Sequence, residues 1–300
     1  MRAAQFRRFG GPEVLEIVDL PEPHAGAGEV RIAVRAAGVN ASDWKKRSGR
    51  MDQELPQTLG YEAAGVVDEI GGGVTDVQLG DEVVGMGGGG AAQAQFAVLS
   101  TWAAIPPSMS FVDAATLPST VETAARALDQ LGVTRGSTVL INGASGSIGS
   151  AAVQFAVHRG ARVIGTGSAA SHGYLRDLGA EPVAYGEGMT GRVRALAPNG
   201  VDLALDVAGS GVLPELIDLA GGSEHVVTIA DFAGAHEHGV RFSRGDSGRA
   251  DYAIALALRL IDEGTFRVPP VHTFPLQEVA EAHRAGESGD VRAKIVLTQD

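Results

Sequence analysis

Val139-Leu-Ile-Asn-Gly-Ala-Ser-Gly-Ser-Ile-Gly149, followed at once by Ser150-Ala-Ala-Val-Gln-Phe-Ala, reads as strand, tight turn and helix. Val139, Leu140 and Ile141 form a short apolar run without a helical stripe, the pattern of a strand buried on both faces. Beyond the turn, Ile148, Ala151, Ala152, Phe155 and Ala156 recur at helical spacing, and Gly160 ends the segment. The turn itself carries Ala144-Ser145-Gly146-Ser147-Ile148-Gly149, a dinucleotide fingerprint with alanine in the first glycine place. A pyrophosphate resting on a helix N-terminus needs free backbone N–H groups, and a side chain at position 146 would block its approach. Gly149 lets the helix pack closely on the strand. The bland alternative is a glycine-rich turn with no ligand. The strand before and the helix after favour the nucleotide reading.

Outward from this stretch, strands and helices alternate. Thr138–Asn142, Ala161–Thr166, Asp202–Val207 and His225–Ala230 read as strands, with helices over Val121–Leu131, Ser171–Leu178, Thr190–Leu196 and Gly211–Ala220. Repeated βα units with buried apolar strands predict an α/β fold with a doubly wound parallel sheet. The first part of the chain differs. Glu29-Val-Arg-Ile-Ala-Val-Arg-Ala alternates polar and apolar, and Gly65–Ile70 and Asp81–Gly85 are further short strands set between glycine turns, as in a small barrel. Gly87–Gly90 reads as a flexible loop, either a lid or a slack connector. Asp251–Glu263 reads as a helix, and Ala293-Lys-Ile-Val-Leu-Thr as a strand that returns to the first domain. The expected divisions are 1–112, 113–249 and 250–300.

The totals exclude several classes. Three hundred residues predict about two domains at roughly 150 residues each. A formal net charge of −12 disfavours nucleic acid and anionic membranes as partners. With no cysteine there are no disulfides, no thiolate nucleophile and no cysteine-ligated zinc. The N-terminus lacks the apolar stretch of a signal peptide, and no apolar run reaches membrane-spanning length, so a cytoplasmic protein is expected.

Six stretches carry a family pattern in order: Ala36-Ala-Gly-Val-Asn-Ala-Ser-Asp43, Leu59-Gly-Tyr-Glu-Ala-Ala-Gly-Val-Val67, Gly80-Asp-Glu-Val83, Ala115-Thr-Leu-Pro118, the fingerprint, and Gly286-Glu-Ser-Gly with Arg292-Ala-Lys-Ile-Val-Leu297. In these the chain resembles the zinc-independent quinone oxidoreductase branch of the medium-chain dehydrogenase/reductases over essentially its whole length. The resemblance implies a GroES-like barrel, a Rossmann domain, a C-terminal segment returning to the barrel, an active site in the cleft between domains, and a homodimer. Zinc-dependent relatives carry cysteine in the region of Gly38-Val-Asn40 and histidine at the place of Tyr61; neither ligand stands here. His236 and His238 allow a two-ligand loop chelate, but surface histidines are the better reading, and no metal is expected.

At the end of the second Rossmann strand, where an NAD site places an acid, the chain reads Thr166-Gly-Ser168-Ala-Ala-Ser-His172. No carboxylate repels a 2′-phosphate, so NADPH is the expected cofactor. Ser168 and His172 are its expected 2′-phosphate partners, with Ser171 as a further donor, although Ser168 is equally placed to cap the next helix. Ala170 stands where close relatives often carry arginine. The resemblance further implies that Tyr185 lies near the adenosine ribose, Ser147 and Ile148 at the pyrophosphate, and Asn40 near the nicotinamide. It places Val207, Ala208, Ile229 and Ala230 along the nicotinamide ribose and carboxamide, with Lys294 reaching the cleft; on an alternating strand Lys294 is also a solvated face residue.

Without a metal to polarise an alcohol, a soft hydride acceptor is expected: a quinone or an α,β-unsaturated carbonyl. Asn40, Asp43 and Tyr61 are the catalytic candidates by position, with Lys45 a further possible proton source. Asp43 also suits a cap, and Tyr61 a packed aromatic. The stretch Arg47-Ser-Gly-Arg-Met-Asp-Gln-Glu54 lacks the tyrosine of relatives that reduce enoyl thioesters, which weighs against that substrate class. The alternative from another class is a non-catalytic NADPH-binding redox sensor or structural protein of the same fold.

Overall fold

The computed structural model describes residues 1–51, 53–87, 91–245, 248–289, 291 and 293–299. Three of the four glycines of the Gly87–Gly90 loop, and Arg292 of the last family stretch, lie outside the described residues. Two compact units result: Thr120–Asp251, and Met1–Ser119 together with Tyr252–Asp300.

The unit Thr120–Asp251 is built on a six-stranded sheet. Its strands are β1 (Thr138–Asn142), β2 (Arg162–Gly167), β3 (Glu181–Ala184), β4 (Leu203–Asp206), β5 (Val226–Thr228) and β6 (Arg241–Phe242). The sheet order is β3-β2-β1-β4-β5-β6, and every pairing is parallel. This is the Rossmann order, whose switch point falls at the C-terminal ends of β1 and β4. The apolar run read from the sequence is the middle of the sheet: Val139, Leu140 and Ile141 have no exposed surface. Leu140, Ile164 and Ala204 share one core with Val193, Leu213 and Leu216 of the flanking helices. The helix after β1 spans Ser147–His158 and buries its face from Gly149 through Ala156.

Three elements of this unit escape the sequence pattern. Strand β3, Glu-Pro-Val-Ala, is short and holds a proline, which demotes an apolar run in any reading from sequence; it is tolerated here because β3 is an edge strand. Strand β6 has only two residues. Phe232–His238 forms a helix rather than a loop, so His236 and His238 sit two apart on a helix and diverge. Asp231 caps it by accepting from Gly234 N at 2.8 Å.

The other unit holds a seven-stranded sheet. Its long central strand Val30–Val39 pairs antiparallel with Glu62–Ile70, with Phe96–Leu99 and with Lys294–Thr298. Lys294–Thr298 pairs in parallel with Val271–Pro275 on its other side. Glu82–Met86 and Thr101–Ala104 complete the sheet, and a separate three-stranded sheet joins Arg2–Phe6 to Glu16–Asp19 and Gln57–Thr58. Val30, Ile32, Val34, Val67, Val83 and Leu99 point into one core. The C-terminal part supplies Leu276, Val279, Ile295 and Leu297 to a second, with Phe6 and Leu59.

Candidate active site

The fingerprint turn begins as β1 ends. Gly146 caps the helix Ser147–His158 with φ −75° and ψ 171°, an extended conformation open to any residue. Among the described residues, a Cβ at Gly146 would meet only Gly143 O, at 3.6 Å. The backbone therefore does not require glycine there. Gly149 is the opposite case: its Cβ would lie 2.2 Å from Gly143 O and 2.8 Å from Ala144 Cα. One glycine packs helix on strand, and the other leaves space outside. Ala144 is buried, Ser145, Ser147 and Ile148 are half-buried, and Gly146 is exposed. The first-turn N–H groups of Ser147 and Ile148 have no acceptor within their own helix, as at every helix start. This fits a pyrophosphate.

At the end of β2, Ser168 occupies the cap position of the turn Ala169–Ser171 but makes no side-chain cap bond. Ser171 Oγ instead donates to Ser168 O at 2.8 Å. His172 starts the helix His172–Asp177, and its Nε2 is buried without a partner. That nitrogen is enclosed by the protein, so it is the acid-free strand end, with Ser168 beside it, that fits an anionic ligand group. Tyr185 stands 62% exposed just past β3. Arg192, absent from the sequence reading, donates to the carbonyls of Ala184 and Tyr185 at 2.9 and 3.3 Å, bringing a cation to this rim. Its signal was hidden because it arrives from the next helix, Met189–Leu196. Val207 and Ala208 follow β4, and Ile229 and Ala230 follow β5; none of the four is fully buried. The C-terminal ends of β1, β2, β4 and β5 thus carry the fingerprint, Ser168, His172, Val207, Ala208, Ile229 and Ala230, whereas Tyr185 follows β3, and Asn40 and Lys294, also expected at the cofactor, belong to the other unit.

The other unit gathers Asn40, Asp43, Glu62 and Lys294. Asn40 caps the helix Ala41–Arg47, and Asp43 Oδ2 accepts from its N–H at 2.8 Å, one arm of a capping box. The Asn40 amide is pinned at both ends: Nδ2 donates to Glu62 Oε1 at 2.8 Å, and Oδ1 accepts from Lys294 Nζ. Lys294 Nζ also donates to Glu62 Oε1 at 2.7 Å, while Glu62 Oε2 accepts from Ser119 N at 2.6 Å. Gly38 makes room for this carboxylate, since a Cβ there would lie 2.1 Å from Glu62 Oε1. Lys294 is buried, which rules out the solvated-face alternative; its strand Lys294–Thr298 is covered on both faces.

Asp43 has no exposed surface. It also accepts from Gly60 N at 3.2 Å and Gln93 Nε2 at 3.3 Å. Burial raises its carboxyl to about 6, against the lowering effect of the Asn40 and Gly60 N–H groups and of Lys294. It caps and braces. Tyr61 is half-buried with Lys46 Nζ 5.1 Å from its ring centroid. Glu62 and Gln93 were invisible as site residues in the sequence because only the fold makes them partners of Asn40 and Asp43.

Residues 26–106 match the family "Alcohol dehydrogenase GroES-like domain", and residues 178–297 match "Zinc-binding dehydrogenase". The second name implies a metal that these residues do not fit. The chain has no cysteine, and among the described residues no group of three His, Asp or Glu side chains could hold an ion. Among the described residues, no helix is long and apolar enough to cross a membrane. Aligned over 99% of its length, the chain is 34% identical to part of the spectinabilin polyketide synthase system protein NorB of Streptomyces orinoci, but spans only 14% of that protein. The 2-methylene-furan-3-one reductase of Solanum lycopersicum is 28% identical, over 99% of this chain and 79% of its own. Mycobacterial Rv1454c, solved complexed with NADPH, is 29% identical with a TM-score of 0.84, each chain covered in full. The quinone oxidoreductase of Coxiella burnetii is 32% identical with a TM-score of 0.86, covering 100% of this chain and 99% of its own. With the Rossmann order, the GroES-like match and these relatives together, the chain belongs to the medium-chain dehydrogenase/reductase superfamily of oxidoreductases.

Proposed function

We propose that the protein is a metal-free, NADPH-dependent oxidoreductase that reduces a quinone or an α,β-unsaturated carbonyl compound. The observation that carries the cofactor is Gly146, a glycine that the backbone does not require and whose missing side chain leaves room for a pyrophosphate. Ser147 and Ile148 would offer it their N–H groups. Ser168, His172 and Arg192 would take the 2′-phosphate, with Tyr185 against the adenosine. Val207, Ala208, Ile229 and Ala230 would border the nicotinamide half.

NADPH supplies hydride when bound. The residues here bind it, orient it and give up nothing covalent. Reduction of a quinone or enone adds that hydride at carbon and one proton from water or a side chain, balancing the charge. Asn40, its amide fixed by Glu62 and Lys294, would present a polar group to the acceptor oxygen. Tyr61 is the more accessible proton source, whereas the fully buried Asp43 acts through Asn40. The solved quinone oxidoreductase of Coxiella burnetii supports the quinone class, and the tomato furanone reductase supports the enone class. A cytoplasmic homodimer is the expected form.

Stopped-flow oxidation of NADPH and NADH against a panel of quinones and enones tests the reading. Turnover with NADPH at a KM well below that for NADH is expected. A clear NADH preference overturns the cofactor assignment. Tight NADPH binding with no turnover on any acceptor replaces the enzyme by a redox sensor of the same fold.

A further inference from the structure

Four buried polar side chains stand at the C-terminal ends of four neighbouring strands: Thr166 on β2, Asn142 on β1, Asp206 on β4 and Thr228 on β5. Asp206 is in register with Asn142 on one side and with Thr228 on the other. None is more than 4% exposed.

Their hydrogen bonds run inward to Asp206 from both sides. Thr166 Oγ1 accepts from Gly143 N at 2.9 Å, so its own proton goes to Asn142 Oδ1 at 2.8 Å. That fixes the Asn142 amide, and its Nδ2 donates to Asp206 Oδ1 at 2.9 Å. From the far side, Thr228 Oγ1 accepts from Ala230 N and Asp231 N, both at 3.1 Å, and donates to Asp206 Oδ2 at 2.7 Å. Asp206 Oδ1 also accepts from Ala208 N at 3.1 Å and Gly209 N at 2.9 Å. Every donor converges on one carboxylate. The amides tied into the chain belong to three separate turns, at 143, 208–209 and 230–231.

The middle turn is the least relaxed. Gly209, Ser210 and Gly211 all lie in the left-handed region, with φ 74°, 74° and 71°, and Ser210 is the only non-glycine residue there among those described. Of these only Ser210 carries a side chain that the left-handed region disfavours, and Asp206 Oδ1 holds the amide of Gly209 just before it together with that of Ala208.

We propose that Asp206 is a positioning residue for the dinucleotide, the anionic hub that makes three strand-end turns move as one cradle. This rests on the nucleotide reading above. Asp206 touches no ligand; it acts through backbone turns flanking the pyrophosphate and the nicotinamide half. Charge-assisted bonds to a buried carboxylate are the strong kind, and a single wrong-way proton breaks the sequence of donors. Asp206→Asn does that, turning an NH₂ toward a Thr228 hydroxyl that already accepts two amides.

The test uses the full chain with Asp206→Asn, Thr228→Val and Thr228→Ser. Amide hydrogen exchange is read without ligand, and dissociation constants are read for NADPH and for adenosine 2′,5′-bisphosphate, which lacks the nicotinamide half. Asp206→Asn should speed exchange together at 143, 208, 209, 230 and 231, and weaken NADPH about 10- to 100-fold, the range set by one or two bonds to a charged group. The bisphosphate should change less than about twofold, within the scatter of small binding differences. Thr228→Val should share the NADPH loss and Thr228→Ser restore parental affinity, which keeps the test decisive if Asp206→Asn does not fold. Exchange confined to one turn, equal weakening of both ligands, or unchanged NADPH affinity overturns the proposal. A parent protein that binds neither NADPH nor NADH overturns the cofactor reading instead, and the exchange pattern still reads the hub.

Discussion

Lys294 Nζ stands 2.7 Å from Glu62 Oε1 although the two residues are 232 positions apart, and neither side chain is more than 5% exposed. A buried pair of this kind adds little over an apolar pair of the same shape, but breaking it from one side strands a charge. Here the pair also fixes the Asn40 amide, which two apolar side chains of the same shape could not do.

Lys294→Met should therefore cost about 3–5 kcal/mol in urea unfolding, the price of an uncompensated buried carboxylate. Adding Glu62→Gln should recover part of that loss without restoring activity, because the Asn40 amide is no longer pinned from both sides. A loss below about 1 kcal/mol for Lys294→Met, the scale of an exposed pair, would refute the buried-pair account.

Gly146 and Gly149 should separate binding from folding. Gly146→Val places a Cβ in ordinary contact with Gly143 O alone, at 3.6 Å, so its melting temperature should stay within about 4 °C of the parent. NADPH affinity should nevertheless fall at least about 100-fold, which fluorescence titration reads directly. Gly149→Ala drives a Cβ to 2.2 Å from Gly143 O and should destabilise by about 1–3 kcal/mol. If Gly146→Val binds NADPH as the parent does, position 146 does not face the pyrophosphate.

Ser168→Asp puts an acid at the end of β2, where an NAD site carries one. The ratio of kcat/KM for NADPH over NADH should drop by at least about tenfold, about 1.4 kcal/mol of repulsion against a 2′-phosphate. An unchanged ratio would move the 2′-phosphate away from Ser168.

His283 supplies a pH signature. It has no exposed surface, its Nδ1 lies 3.1 Å from Arg47 NH1, and its Nε2 has no partner. Burial first, and Arg47 second, hold its pKa down from 6.5 to about 3. The unfolded chain therefore binds a proton that the folded chain refuses, so this contribution is complete above pH 6.5 and is lost as pH falls toward 3. The stability of the parent relative to His283→Gln should shrink on acidification by about 1.4 kcal/mol per pH unit in that window. A difference that stays flat with pH would mean His283 is not held neutral.

Much of the fold was legible because burial leaves a mark in composition. Strand β1 falls where the Val139-Leu-Ile run predicts, and β2 lies one residue from its expected bounds. Strand β3 and the helix Phe232–His238 were not legible: one hides a proline in an edge, and Phe-Ala-Gly-Ala-His-Glu-His has no apolar stripe, only an Asp cap and a glycine stop. At the site, the fingerprint is local in sequence and could be read whole. Asn40 and Lys294 could be singled out, but their joint partner Glu62 could not, since strand pairing between Val30–Val39, Glu62–Ile70 and Lys294–Thr298 brings the three together. The ladder through Asp206 was hidden for the same reason: each member is an unremarkable residue at the end of its own strand.

The division of the chain sets an order of assembly. Thr120–Asp251 is an insertion in sequence between the two parts of the other unit, and its contacts are all available once residue 251 has left the ribosome. The unit begun first is finished last. Until Lys294 emerges, Glu62 and Asn40 wait without their cation, and Val30–Val39 waits with one side unpaired. The nascent chain should thus complete Thr120–Asp251 before it settles the unit that holds Asn40, and on the proposed function NADPH present during synthesis should act on the first of these alone.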